Sequence, residues 1–279
     1  MDRDFKEIIR VMDQNYGRDI SIYDNSFLEK SINKRVEALG LTSSMNYIPH
    51  LSESRIEADR FFDSLNITYS EFFRNPLTFA ILEQWIFPKI IEAKAGASEI
   101  RIWSSGCASG QEAYSLAMML DKLISAKSKP TRYRILGSDI SKAALLAAKK
   151  GVYDVSSMRN VRLSDIDEFF VKEGEAYSVS TKIKEHVSFA AYDLLDQIHD
   201  YPEESIFGDF DLVFCSNLLF YYLPEYQQFI VNKMMRAIAP DGYLATGEAE
   251  KHLILKQKGI KEVAPPASVF QKKWNGGAV

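Results

Sequence analysis

Cysteine is nearly absent from this chain: Cys107 and Cys215 are the two among 279 residues. So few thiols exclude a disulfide framework, fit a reducing cytoplasm, and read as small buried apolar residues. No apolar run approaches the roughly 18 residues a spanning helix needs, so no membrane insertion is expected. The opening MDRDFKEIIR carries acids and no apolar core, and no secretory leader is expected from it. Positive charge is also short. Lys and Arg number 34 against 38 Asp and Glu, a formal net charge of −4, and no basic tract interleaved with aromatics appears. Nucleic acid is therefore not an expected partner. Repeats and low-complexity segments are missing as well. What is left is an ordinary globular composition, 46% apolar and 26% charged, enough for one large α/β core plus a small appended domain.

Residues 1 to about 60 show helical periodicity only, as a small helical domain would. Phe5, Ile8, Ile9 and Met12 share one stripe, and Leu28, Ile32, Val36 and Leu39 share another that Gly40 stops. On the outer side of this second helix lie Lys30, Lys34 and Arg35, diluted by Glu29 and Glu37, which also suits a plain solvated face. A helix from Pro76 to Ile91 leads into strands alternating with helices, the pattern of a parallel sheet covered on both faces. Strands are expected at Glu99–Trp103, Tyr133–Gly137, Val187–Ala191, Phe210–Cys215 and Tyr243–Thr246, with a closing strand or hairpin in Val263–Lys273. Helices are expected at Glu112–Ser125 and Ser141–Lys150. About residues 160–187 the alternation breaks. A short helix, Ser164–Phe170, and two alternating stretches, Ala176–Ser180 and Lys182–His186, predict a small antiparallel insertion.

Chemistry gathers where the first strand ends, in IRIWSSGCASGQEAYS from Ile100 to Ser115. Gly106 and Gly110 let backbone N–H groups approach a ligand, although such glycines also serve as a tight connection alone. Asp139, at the tip of the next strand, is placed to accept hydrogen bonds from ribose hydroxyls. Together they point to a nucleoside-containing cofactor. The loop lacks a third glycine, and Gly106 and Asp139 stand farther apart than the roughly 20 residues of a nicotinamide fingerprint. Glu112 in the first helical turn would repel a pyrophosphate and suit an ammonium. S-adenosylmethionine, with an amino group, a ribose and no phosphate, fits better than a dinucleotide, and favours a methyltransferase over a dehydrogenase.

In order and spacing the segments EFFR (Glu71–Arg74), WSSGCASGQEAYSLAM (Trp103–Met118), SDIS (Ser138–Ser141), GVY (Gly151–Tyr153), FDLVFCSNLLFYY (Phe210–Tyr222) and PDGYLATGEAE (Pro240–Glu250) resemble the CheR-type chemoreceptor glutamate O-methyltransferases. The resemblance covers nearly the whole chain. It implies a class I, Rossmann-like α/β sheet binding S-adenosylmethionine over residues 66–279, an N-terminal helical docking domain over 1–65, and a small antiparallel β insertion at about 160–187. It carries cofactor contacts onto Thr68, Ser70, Arg74, Gly106, Glu112, Asp139, Asp193, Leu194, Ser216 and Asn217, and catalytic roles onto Arg74 and Tyr221. Asp193 would take the adenine amino group, or merely cap a helix before Leu194. The implied substrates are glutamates of methyl-accepting chemoreceptor cytoplasmic domains, met by a cytoplasmic monomer without a metal.

Four departures stand out. Ser216 occupies a position where the family usually has arginine, Thr68 one where asparagine is usual, and Asp193 one where asparagine is common; GEAE replaces GHSE, which puts Glu248 on display. The turn Lys172-Glu173-Gly174-Glu175 is shorter than the glycine-bearing loop of members that tether to a receptor's C-terminal pentapeptide, so pentapeptide-independent docking is expected. A glutamate carboxylate is ionised at neutral pH, so its methylation needs no general base. Arg74 is a candidate to hold that carboxylate or the cofactor's own, or to be a surface arginine. Two other functions fit the residues: a cofactor-binding regulatory module with little turnover, and a carboxyl methyltransferase for another protein or a small acid.

Overall fold

The computed structural model describes residues 3–66, 69–94, 98–127, 131–205 and 207–273. It divides into two compact units, Met1–Ile67 with Leu218–Gln228, and Thr68–Asn217 with Phe229–Val279.

The first unit is helical: α1 (Arg3–Tyr16), α2 (Asn25–Ala38), α3 (Ser44–Glu53) and α4 (Arg55–Leu65). Side-chain oxygens start three of these helices by accepting the orphan N–H groups of the first turn, Asp24 for α2, Ser43 for α3 and Ser54 for α4. The expected stripes face inward. Phe5, Ile8 and Met12 of α1 and Leu28, Ile32 and Val36 of α2 are buried, whereas Leu39 caps α2 and is 38% exposed. Leu218–Gln228 completes this unit, with Tyr222 stacked on Tyr23 at 5.3 Å and Tyr221 4.8 Å from the Phe27 ring.

Arg35 departs from its expected outward position. Its guanidinium forks onto the Glu57 carboxylate at 2.8 and 2.6 Å, and the Tyr47 hydroxyl donates to the same group at 2.9 Å. Burial alone would raise the Glu57 carboxyl, but these hydrogen bonds outweigh it and hold the group below its usual value. Lys30 and Lys34 stay exposed.

The second unit opens with a helical run of α5 (Pro76–Ile81), a π turn (Leu82–Ile86) and α6 (Phe87–Lys94), three residues longer at its end than the expected helix. Pro88 explains the π turn: its ring would crowd the Gln84 carbonyl in a regular helix, and the wider turn just before it makes room. Then follow β1 (Ile100–Ser105), α7 (Gln111–Ser125), β2 (Tyr133–Asp139), α8 (Lys142–Lys150), β3 (Val152–Asp154), α9 (Leu163–Phe169), β4 (Phe170–Glu173), β5 (Ala176–Val179), α10 (Thr181–Lys184), β6 (Val187–Ala191), β7 (Phe210–Cys215), α11 (Pro224–Ala237, of which the part from Phe229 belongs to this unit), β8 (Ile238–Thr246), α12 (Lys251–Ile254), β9 (Ile260–Glu262) and β10 (Val269–Lys272). The main sheet runs β6-β2-β1-β7-β8-β10-β9, parallel through β8, with β10 and β9 antiparallel as a closing hairpin. Strand order reverses between β1 and β7, and open α/β sheets bind ligands beyond the carboxyl ends at such a point.

The insertion is a three-stranded antiparallel sheet, β3-β5-β4. Its outer strand β3 comes from before the expected bounds, pairing Tyr153 with Tyr177. Lys182–His186, expected as a strand, falls mostly in the helical turn α10, closed by Lys184 N–H to Ser180 O and Glu185 N–H to Thr181 O. One buried apolar residue, Ile183, between charged neighbours satisfies a helical turn as well as an alternating strand.

Because Glu57 depends on Arg35 for its countercharge, Arg35→Met should lower stability by about 2–3 kcal/mol. Urea unfolding of the full chain measures this; an unchanged midpoint would mean Glu57 finds another partner.

Candidate functional site

A cleft opens at the carboxyl ends of β1 and β7, lined by Tyr69, Ser70, Glu71, Arg74, Asn75, Phe79, Gly106, Glu112, Phe214, Ser216 and Asn217. Six expected site residues meet there: Ser70, Arg74, Gly106, Glu112, Ser216 and Asn217. Thr68 lies outside the described residues. Tyr221 belongs to the helical unit.

The glycine loop is fastened from three sides. Gly106 and Cys107 both donate N–H bonds to the Ser138 carbonyl, at 2.8 and 2.9 Å. Asp139 accepts the Ala108 N–H on one oxygen at 2.9 Å and the Ser141 N–H on the other at 2.8 Å. From β3 of the small sheet, the Tyr153 hydroxyl donates to the Ser109 carbonyl at 2.7 Å. Gly110 enters α7 at φ 91°, and a Cβ there would meet Ala148 Cβ at 2.9 Å. Only glycine suits this conformation and this close approach of α7 to α8.

Glu112 sits in the first turn of α7, half-buried, and accepts a hydrogen bond from Ser104 Oγ at 2.6 Å. Burial and the nearby Glu250 charge push its carboxyl up to about 8, against the Ser104 hydrogen bond and the Arg74 charge. At neutral pH without ligand it is therefore mostly protonated, and a cation arriving in the cleft would ionise it. Arg74 lies over the Tyr69 ring at 5.1 Å and makes no ion pair among the described residues. Its neighbour Glu71 is instead neutralised by Arg159.

Ser216 and Asn217 follow β7. Asn75 Nδ2 donates to Ser216 Oγ at 2.8 Å, and that hydroxyl donates to Asn217 Oδ1 at 3.0 Å. Asn217 has a left-handed backbone, φ 60°. Its N–H donates to Glu250 Oε2 at 3.0 Å, as does Gly247 N–H at 2.9 Å. Within GEAE the residue that matters to the cleft is thus the buried Glu250, while Glu248 is exposed. Glu250 and Asn75 escape sequence reasoning, although both stand in or beside quoted motifs.

The remaining expected residues extend the site along the sheet. Tyr192 N–H donates to the Asp139 carbonyl at 3.0 Å, placing the segment after β6 beside Asp139. Leu194 is buried. Asp193 is exposed, and its Oδ1 accepts the Leu195 N–H at 2.8 Å; no helix starts there, so the bond closes a local turn where a helix cap was the alternative expected. Burial raises the Asp139 carboxyl even though backbone N–H groups on both oxygens favour its charge. Each oxygen keeps a second lone pair for a ligand hydroxyl. Cys107 and Cys215 are buried free thiols pushed well above their ordinary value by burial, which suits packing and not nucleophilic attack.

A carboxyl at a helix start, a guanidinium with no ion pair among the described residues and a strand-tip carboxylate form a donor set that suits an ammonium, a carboxylate and a ribose, and disfavours phosphate. The residues present fit S-adenosylmethionine. With the doubly wound sheet, they define a class I, Rossmann-like methyltransferase dependent on that cofactor. The chain belongs to the CheR methyltransferase family: the model described as CheR methyltransferase, SAM binding domain, matches residues 68–265, and that described as CheR methyltransferase, all-alpha domain, matches residues 3–65. Among curated proteins it is similar to a chemotaxis protein methyltransferase of Listeria monocytogenes, 28% identical over 91% of this chain and 92% of that protein. Chemotaxis protein methyltransferase 1 of Pseudomonas aeruginosa is 29% identical over 88% of this chain and 89% of its own length. The Escherichia coli chemotaxis protein methyltransferase is 25% identical over 92% and 87%.

The Glu112 environment yields a pH signature. If a cofactor ammonium pairs with this carboxylate, binding must expel a proton below the unliganded value of about 8. The affinity of S-adenosylhomocysteine should then rise with pH by up to about tenfold per unit and level off above that value. Calorimetry in buffers of different ionisation enthalpy reads the released proton directly. Glu112→Gln should abolish both effects, and a flat wild-type profile would remove the ammonium from Glu112.

Proposed function

We propose that this enzyme methylates glutamate side-chain carboxylates on the cytoplasmic helices of methyl-accepting chemoreceptors, forming glutamate methyl esters. The observation that carries the reading is the shared cleft, where Arg74, without an ion pair among the described residues, lines one space with Glu112. Relatives named chemotaxis protein methyltransferase, similar over most of the chain, support it. A further relative, named probable biofilm formation methyltransferase WspC, is 28% identical over 94% of this chain and 60% of its own length, so degree of similarity does not choose the receptor.

Bound S-adenosylmethionine supplies an electrophilic methyl on a cationic sulfur. In this reading Glu112 takes the ammonium, Asp139 the ribose hydroxyls, and Asp193 and Leu194 the adenine, with Thr68, Ser70, Gly106, Ser216 and Asn217 completing the contacts. The substrate carboxylate arrives ionised, so no residue has to remove a proton. What the chain must do is hold that carboxylate in line and offset its loss of water, since reactants of opposite charge become neutral products and strong hydration opposes the change. Arg74 offers a two-pronged donor for this task and the Tyr221 hydroxyl a second one. Ser216, small and neutral where the family usually places arginine, leaves Arg74 the greater share.

Docking falls to the helical unit. Lys30 and Lys34 are its exposed pair on α2, and the short turn Lys172–Glu175 fits docking without a receptor pentapeptide. In this reading the enzyme is a cytoplasmic monomer; among the described residues no helix is long and apolar enough to cross a membrane.

Mass spectrometry of receptor cytoplasmic fragments incubated with the protein and labelled methyl donor tests the proposal. Methyl esters on glutamates are expected; donor binding with no transfer to any fragment would favour a regulatory module. Arg74→Lys keeps the charge and loses the fork. It should slow methylation by roughly 10- to 150-fold with the melting temperature unchanged. Loss of donor binding in that variant would assign Arg74 to the donor's carboxylate. Reversing Lys30 and Lys34 to glutamate should slow methylation and flatten its salt dependence, because methylated receptor helices are acidic. A normal rate in the double variant would place docking elsewhere.

A further inference from the structure

We infer that Lys233 is a positioning residue for the nucleoside end of the cofactor site, acting through the segment that follows β6. The inference rests on the reading that Asp193 and Leu194 hold the adenine. The residues between β6 and β7 form no helix among those described, although a parallel crossover usually carries one. Without a helical ladder, the shape of this segment depends on individual side chains.

Lys233, on α11, is 1% exposed. Its ammonium donates to the Asp196 carbonyl at 2.5 Å and to the Tyr192 hydroxyl at 2.9 Å. That hydroxyl in turn donates to the His199 carbonyl at 2.6 Å. The ammonium also lies 5.0 Å from the Tyr192 ring centroid and 5.3 Å from that of Phe229. Asp193 and Leu194 are therefore bracketed, with Tyr192 held on one side and Asp196 on the other. One turn further along α11, Arg236 forks onto Asp200 at 2.9 and 2.7 Å, but that pair is exposed and worth little. The internal turns, Asp193 to Leu195 N–H and Asp196 to Ile198 and His199 N–H, shape the segment without anchoring it to α11.

A buried ammonium is costly, and burial accordingly lowers the Lys233 amine's proton affinity. A methionine of similar length would fill the space without that cost. What lysine supplies and methionine lacks is a pair of directed hydrogen bonds to the two ends of the stretch that carries Asp193 and Leu194. Because Tyr192 N–H is also bonded to the Asp139 carbonyl, the same anchor sets where the adenine end stands relative to the ribose end.

Calorimetry with S-adenosylhomocysteine and with adenosine, on the full chain, tests this. Lys233→Met should weaken both ligands by roughly tenfold. The melting temperature should not fall, and the proton released at Glu112 should be unchanged, because the methionyl end is untouched. Hydrogen exchange should quicken at amides 194–200 in particular. Tyr192→Phe keeps the ring, removes the relay hydroxyl and should weaken both ligands in the same sense; it decides the matter if Lys233→Met does not fold. Unchanged affinities in these variants overturn the inference. Asp193→Ala and Leu194→Ala separate the two levels: if they weaken adenosine while the Lys233 and Tyr192 variants do not, only the positioning role fails, and if none of the four matters, the adenine assignment itself fails.

Discussion

The Asp139 carboxylate is the constraint on which the cofactor side of this protein depends. One oxygen holds the glycine loop through Ala108 N–H, and the other starts the turn into α8 through Ser141 N–H. Both bonds come from backbone, so the acid fixes the path of two connections at once. Half-buried, its charge is tolerated because these donors replace water. A ribose contact would use the lone pairs left over. The same atoms would then both shape the site and face the ligand, and exchanging the acid for its amide would present an N–H to a backbone N–H.

The small antiparallel sheet takes on meaning from the same loop. Tyr153 of β3 bonds the Ser109 carbonyl and packs edge-on against Phe72 at 5.0 Å, while Phe170 at the start of β4 packs against the same ring at 5.4 Å. Phe72 stands two residues before Arg74. The insertion thus braces both the glycine loop and the segment that presents the arginine, and the GVY motif becomes a structural tie whatever partner the sheet's outer face meets.

Most of the fold was legible because its signals are local. Four of the five expected parallel strands lie within two residues of their predicted ends, since β-branched runs bounded by turn residues need no knowledge of the rest of the chain. The placement of Gly106, Glu112 and Asp139 was legible for the same reason: a glycine loop, a helix start and a strand tip each have a local grammar. Lys182–His186 failed because five residues with one apolar centre carry no decisive period. Arg35 failed because its partner, Glu57, lies on another helix, and helical spacing reports a face without reporting what stands opposite. Glu250, Asn75 and Lys233 share that limitation. Each is an unremarkable polar residue in sequence, and its role exists only once a distant segment is folded against it.

Charge balance links these parts to the chemistry. The cleft and its floor hold Glu112, Glu71 and Glu250, but Glu71 is answered by Arg159, which leaves Arg74 as the cleft-lining cation beside the other two. With Ser216 where a second cation would usually stand, burial, helped by the nearby Glu250 charge, raises the Glu112 carboxyl to about 8 in the unliganded cleft. A donor carrying an ammonium and a sulfonium would supply positive charge there, and a Glu112 ionised by it would neutralise part of that charge. Arg74 would then remain for a carboxylate. The unliganded cleft avoids burying two adjacent negative charges, and the proton on Glu112 is the means by which it does so.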